Sequence, residues 1–585
     1  MKLQNLGAVA LIFLFTAGGL VGCGDDHDHD HSDTTDMSDA SDASDPSDAS
    51  DASDSSDASD ATDATDATDA TDTTDATDAT DATDATDATD ATDIGDPVGP
   101  YAFESRFEAG VSSVKYTGQI ARHVLINEVK AQIGAIDPTT TTYVTGQVFA
   151  TLNGIYQHDW TVVPELPFAS LSGNDLQTNL DEISTNKKLI NKMAGNDSPG
   201  WTQGWAGWTT AMPDGAGGTA VPASPDAFAQ AMFHKLDELA VMHSEGNPPL
   251  DIDGNAITEA FVDADGIDWQ QMAQKFLLGA VAFSQGTNDY LYKIAGVPGD
   301  DGQIDDSTAK PNATSDEGAP YSEMEHYWDE AFGYFGAAAD YHLYTDGEIA
   351  GKAGREEFQK FHDSNGDGVI DLKSEFNFGH SQNAAKRDYG SAGIEGGVTY
   401  DMTGDVFGAF MAGRTFITSI DGDLNADQLA ELRGYIAIVK DGWEKAIAAT
   451  VIHYINDTLG DMAELGTADY SFYSHAKHWA ELKGFALGLQ FNPDSPLHDM
   501  LDAYCYVPGQ GIDSTVTTAE DCAAAAPTMG GGIWNPEESG FVRFHRKLGD
   551  APVFTNDMTA QGNYGSIRTL LQNAYGFDAT TVASW

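Results

Sequence analysis

Basic residues are the first scarcity. The 585-residue chain holds 28 Lys and Arg against 93 Asp and Glu, a formal net charge of −65 at pH 7. Nucleic-acid binding needs a basic footprint, so that class of partner is excluded; cations, or a demand for solubility, suit such a charge. Cysteine is also rare, with 3 in all. Setting Cys23 aside leaves Cys505 and Cys522, and in an exported protein an even pair reads as a disulfide. Closing that loop is worth about 3 kcal/mol in the chain-entropy model. Long apolar runs are missing except for Leu6 to Val21, which is short for a membrane span. No His-Glu-x-x-His and no Ser or Cys nucleophile motif is present, which leaves little support for an enzyme. Alternating apolar and polar residues are scarce, so strands are not expected.

The apolar run ends in Leu20-Val21-Gly22-Cys23, which resembles the lipobox of bacterial lipoproteins. The resemblance implies a signal peptide at 1–22, cleavage before Cys23 and diacylation of its thiol. Gly24 follows rather than Asp, so an outer-membrane or cell-surface anchor is expected rather than inner-membrane retention. Residues 23–96 then read as a tether. His27, His29 and His31 alternate with Asp, and Asp recurs at every third position beyond them. Such a segment cannot bury a core and is expected to be disordered. Its like charges extend it, to a reach on the order of 200 Å. The tether holds 26 Asp between Asp25 and Asp96, so the rest of the chain still carries most of the acidity.

Residues 97–585 read as an all-α helical bundle. Apolar spacing of three and four predicts helices over Gln119–Ile133, Asp175–Met193, Ala227–His243, Gln270–Tyr292, Tyr321–Tyr341 and Arg355–Phe361. Further helices are predicted over Met402–Ile420, Asp427–Val439, Trp443–Leu459, Tyr470–Leu489 and Ile567–Ala574. Ser224-Pro225 marks a start, as N-cap and first helical position. His234, Asp237 and Glu238 fall off the apolar stripe of their helix and are expected to face solvent.

Three stretches carry chemistry. In Tyr321–Tyr341, Met324, Trp328, Phe332, Phe335 and Ala339 form one stripe, while Glu323, His326, Glu330 and Tyr334 share another face. His326 with Glu330 or Asp329 suits iron, zinc or manganese. A second histidine helix opens at Ser474, with His475 and His478 on one face and Glu481 one step round. The likeness of Glu330-Ala-Phe-Gly-Tyr-Phe-Gly to Glu481-Leu-Lys-Gly-Phe-Ala-Leu-Gly points to a duplicated helix pair. Two pseudo-repeated bundles would bring His326, Glu330, His478 and Glu481 together, as bundle metal sites are built. The third stretch runs over 363–375. Asp363, Asn365, Asp367, the Val369 carbonyl and Asp371 stand at EF-hand positions one, three, five, seven and nine, with Gly368 at the turn. Ser374 takes position twelve and Glu375 comes one later, so Glu375 would serve Ca2+ after a small expansion of the loop.

YTGQIARHVLINEVKAQI, EMEHYWDEAFGYFG, NGDGVIDLKSEFNF, GWEKAIAATVIHYIN and KHWAELKGFALGLQFNP resemble the bacterial domain of unknown function 4856. That likeness extends from about Tyr101 to at least Asn492. The chain is more distantly similar to imelysin-like proteins, double helical bundles associated with iron uptake, whose motif is Gly-x-His-x-x-Glu. Ala476-Lys-His478-Trp-Ala-Glu481 matches it except at Ala476, while Met324-Glu-His326-Tyr-Trp-Asp329 departs twice. Together the lipobox, the 363–375 loop and this resemblance lead to the expectation of a membrane-tethered metal-binding lipoprotein assisting capture of iron or another divalent metal, with other metal-uptake proteins as partners and Ca2+ as a brace. A metallohydrolase and a non-catalytic calcium-stabilised scaffold or adhesin are the alternatives.

Overall fold

The computed structural model describes residues 94, 99–161, 165–196, 201, 204–296, 309–500, 502–507, 511–513, 519–524, 533–555 and 558–585. The segments expected to be a signal peptide and a tether, Cys23 among them, lie outside the described residues except for Ile94.

Helix starts follow side-chain capping. Helix α1 spans Thr117–Gly134, α2 Gln147–Tyr156 and α3 Pro225–Ser244. The Ser224 hydroxyl accepts from the Ala227 amide and Pro225 fills the first turn of α3. Helix α4 spans Trp269–Leu277 and continues through π-helical turns at Leu278–Phe283 and Gln285–Tyr290 into α5, Leu291–Ile294. Helix α6, Glu323–Phe335, has a capping box of Ser322 and Glu325. It stops at Gly336, whose φ of 85° closes the helix in the left-handed region, so it ends before the predicted Tyr341.

A short α7, Asp346–Ile349, is followed by α8, Gly379–Ser391, α9, Met402–Ser419, and α10, Ala426–Glu464. The two helices predicted at 427–459 are thus one. Gly442 does not break it; its missing side chain admits Val406 of α9, 2.7 Å from where a Cβ would stand. Helix α11 spans Phe472–Gly488, α12 Pro496–Asp499, α13 Ala519–Ala524, α14 Gly540–Leu548, α15 Met558–Tyr575 and α16 Ala579–Ser584.

The described residues are mostly helical, as the sequence implies. Two small antiparallel sheets add to them. One pairs β1, Met212–Pro213, with β2, Thr219–Ala220; the other has the order β4-β3-β5, with β3 at Asp502–Val507, β4 at Gly511–Asp513 and β5 at Ile533–Glu538. Cys505 of β3 and Cys522 of α13 form a disulfide with Cα atoms 5.4 Å apart.

Two predicted helices are not formed. Over 175–193 only single 3-10 turns occur, at Leu180–Glu182 and Ile190–Lys192. The Asp175 carboxylate instead accepts from the amides of Leu171 and Ser172, a side-chain turn that competes with helix. Arg355–Phe361 likewise shrinks to a 3-10 turn at Glu356–Phe358. Asp237 is not solvent-facing: it is buried, and its carboxylate accepts from the amides of Gly146, Val148 and Phe149, capping α2 from α3.

The core is aromatic. Trp269, Trp328, Trp443 and Trp479 are all fully buried. Glycines set the closest approaches: a Cβ on Gly413 would meet the Trp328 ring, and one on Gly286 would meet Trp443.

Candidate functional site

The predicted site residues occupy three separate surroundings. On α6, the apolar stripe Met324, Trp328, Phe332 and Phe335 is fully buried. His326 lies at its edge. Its Nδ1 is 3.8 Å from Asp316 Oδ2 and its Nε2 is 3.8 Å from Glu330 Oε1. Burial alone would lower the imidazole pKa; the carboxylates of Glu330 and Asp316 outweigh it and hold it above the usual value. The two carboxylates flank opposite ring nitrogens, so they do not converge on one point. Glu330 Oε1 also accepts from Gln119 Nε2 at 2.7 Å.

Asp329, the other candidate on α6, serves a buried charge network. Arg414 of α9 donates from Nε to Asp329 Oδ1 and from Nη1 to Glu325 Oε1, each at 2.9 Å, and is fully buried. The Tyr101 hydroxyl donates to Asp329 at 2.7 Å, and Arg106 adds a second cation to Glu325 at 3.1 Å. A buried ion pair with its remaining lone pairs bonded in this way fixes α6 against α9.

The 363–375 loop is a nest of side-chain turns. Asp363 accepts from the amides of Gly366, Asp367 and Gly368, Asn365 from Asp367, and Asp367 from Val369. The Gly368 amide leads the bonds that hold the Asp363 carboxyl below its usual range. Gly366 and Gly368 supply the positive φ, 73° and 90°, that the tight path requires. Asp371 faces outward from this nest, accepting from Gln177 Nε2 at 2.8 Å and from the Lys373 amide. Glu375 is buried and clasps the loop, accepting from the amides of Ser364 and Asp371, each at 2.9 Å. Ile370 pairs in parallel with Asp175, so the loop is stitched to a segment far back in the chain.

On α11, His478 Nδ1 is 2.8 Å from Asp461 Oδ2 of α10. Burial would lower its pKa, and the Asp461 bond and charge raise it above the usual value. His475 is fully buried, and burial pushes it down to about 4, so it is a neutral core residue. Glu481 is buried with its Oε1 3.3 Å from Lys275 Nζ of α4. Burial would raise its pKa, but Lys275 and other lysines nearby take it below the usual value. His326 stands beside Glu330, whereas His478 pairs with Asp461 and Glu481 with Lys275, so the four predicted ligands do not form one set. Among the described residues, no group of three or more His, Cys, Asp or Glu side chains is arranged to hold a metal ion.

The neighbourhood of Glu481 includes residues the sequence reading passed over. The Phe485 ring, one turn along, lies 6.1 Å from Tyr454, 6.4 Å from His380 and 5.7 Å from the Lys275 ammonium. Arg387 of α8 is buried, yet its Nε has no hydrogen-bond partner. Its charged and polar neighbours are Tyr454, Asp457, Asp388 and Glu481. Lys386 beside it is half-buried, and burial, then Lys275, Lys360 and Arg387, push its pKa down to about 7. Helix α8 buries a polar face of His380, Ser381, Arg387 and Asp388, and so shows no apolar period in sequence. The legible signal was Lys386-Arg387 itself, a doublet of cations in a chain poor in them.

Among the described residues, no helix is long and apolar enough to cross a membrane. Residues 234–346 match the model of the family described as Domain of unknown function (DUF4856). The match runs from α3 to α7 and includes His326 and Glu330, but neither the 363–375 loop nor α11. No curated protein and no solved structure matches the chain.

Proposed function

We propose that this chain is an exported lipoprotein, anchored through Cys23 at an outer membrane or cell surface, whose helical part is a calcium-braced binding module. The observation that carries the reading is the donor set of the loop. Asp363, Asn365 and Asp367 side chains and the Val369 carbonyl alternate along a path bent at Gly366 and Gly368. Oxygen donors of mixed kind, carboxylate, amide and backbone, suit Ca2+ better than a transition metal. Glu375 would be a clasp of such an EF-hand-like site rather than its bidentate ligand, because its oxygens already take loop amides. A single loop of this kind acts as a brace: Ile370 joins it to the segment around Asp175, and its Ser374 carbonyl accepts from the Ala339 amide just beyond α6.

Handling of iron or another divalent metal is the second reading, favoured by His326 standing between Asp316 and Glu330. It requires one carboxylate to swing to the nitrogen that the other faces. A duplicated bundle would fit the likeness of α6 to α11, both of which pack on the helix that starts at Trp269.

Metal content of the full-length protein, measured by mass spectrometry beside Asp363→Asn, His326→Ala and His478→Ala, tests both readings. Near one calcium per chain, lost in Asp363→Asn alone, is the expected result. A transition metal lost in His326→Ala would establish the second reading. Protein without calcium would end the first.

A further inference from the structure

Basic residues crowd onto one short helix. Helix α14 carries Arg543, Arg546 and Lys547 within its 9 residues, although the whole chain of 585 residues has only 28 Lys and Arg. Arg546 is answered by a carboxylate, donating to Glu538 from Nε at 2.8 Å and from Nη2 at 2.7 Å. Arg543 and Lys547 stand one turn apart, on a common face, and that face borders a cleft of about 270 Å³ between α14 and α15. The opposite wall is α15, which presents Ser566, Thr569 and Asn573 at helical spacing. Lys547 Nζ reaches across and donates to Ser566 Oγ. The buried Ile567 and Leu570, with Met500 just after α12, supply the apolar surface of the cleft. No Asp or Glu is among the described residues that line it, in a chain with more than three acidic residues for every basic one. Both cations also interact within the protein; a ligand would share them, since a guanidinium and an ammonium each have several N–H donors.

We propose that this cleft binds a small organic carboxylate, its charged end between Arg543 and Lys547 and its apolar body against Ile567, Leu570 and Met500. The planar guanidinium offers paired donors that match the two oxygens of a carboxylate. A bare inorganic anion would use the cations but leave the apolar surface wet, and an uncharged apolar ligand would leave the cations unanswered. The volume lies just below the range of about 300–1,000 Å³ that receives drug-sized ligands, so the occupant is of metabolite size.

The test is saturation-transfer NMR of the full-length protein titrated with sodium hexanoate, with sodium acetate and sodium phosphate as competitors. Hexanoate should bind saturably and about tenfold more tightly than acetate, the gain from roughly two buried methylenes. Phosphate should compete no better than acetate. Arg543→Gln and Lys547→Met should each weaken hexanoate about tenfold. Asn573→Asp, which sets a like charge in the cleft at an exposed position, should weaken it as well. Lys445→Met, whose lysine pairs with Asp441 on α10, should bind as the parent does. No saturable binding of hexanoate below about 20 mM would overturn the proposal. Equal affinity for hexanoate and acetate, tighter binding of phosphate, or binding that survives all three cleft substitutions would overturn it equally. A thermal melt of each variant accompanies the titration; if Arg543→Gln or Lys547→Met fails to fold, the exposed Asn573→Asp decides the matter.

Discussion

Gly279 and Gly488 meet backbone to backbone. A Cβ on Gly279 would lie 2.6 Å from the Gly488 Cα, and one on Gly488 would lie 3.1 Å from the Gly279 Cα. Neither contact offers a flexible side chain that could give way. Gly279→Ala must therefore part the Leu278–Phe283 turn from the end of α11, at a cost of about 1–3 kcal/mol or more. Gly154→Ala, in a helix with nothing within 4 Å of the new methyl, should be neutral or stabilising. Chemical denaturation of the two variants checks the contrast, and equal midpoints would refute the close contact.

The network around Arg414 makes a second prediction. Arg414→Met leaves Glu325 and Asp329 buried with too few cations, and should cost about 3–5 kcal/mol. Adding Glu325→Gln and Asp329→Asn to that variant should recover part of the loss, since the stranded charges are then gone. Urea melts of the single and triple variants would show this; a triple variant weaker than the single one contradicts it.

Calcium should raise the melting temperature of the full-length protein. At a hundred times its dissociation constant a ligand of the folded state adds about 2.7 kcal/mol. Asp363→Asn and Asp367→Asn should each abolish most of the gain. Scanning calorimetry with calcium chloride and with a chelator reads it directly, and magnesium should do far less.

Stability should also depend on Glu444 in a direction unusual for a carboxylate. Glu444 is buried on α10 and receives hydrogen bonds from Ser495, Tyr575 and Asn492. Burial outweighs those bonds and pushes its pKa from 4.5 up to about 7. A raised folded value means that the folded state holds the extra proton between those limits. The stability it adds is complete below pH 4.5 and is lost as pH rises through about 7. Glu444→Gln should flatten the unfolding free energy over that window relative to the parent. An identical pH profile for both proteins would show that Glu444 ionises at its ordinary value.

The helical character was legible because most helices bury apolar stripes of the right period. The Met324, Trp328, Phe332 and Phe335 stripe of α6 is an instance, and its resemblance to the family is shown over 234–346. Asp175–Met193 misled because its period carried no account of Asp175, whose carboxylate captures backbone amides before a helix can form. Helix α8 escaped notice for the opposite reason, since the face it buries is polar. The histidines were visible as residues but not as neighbours. Which carboxylate each would find depended on packing: Asp461, the partner of His478, comes from α10, and Asp316, beside His326, from the segment before α6. Arg387 could not be marked by periodicity, because it is buried on the polar face of α8.

The wide turns at Leu278–Phe283 and Gln285–Tyr290 give the helix from Trp269 to Ile294 a tolerance that its neighbours lack. In a regular α-helix, deleting one residue swings everything beyond it by about 100° and misplaces every buried face. Here a deletion within a π turn would tighten that turn to α geometry while both flanks kept their facing. Chains descended from a common ancestor with this one should therefore differ in length by single residues at these turns and almost nowhere else along the helix. The polar residues buried there, Ser284 and Asn288 among them, would record which of the two lengths each lineage kept.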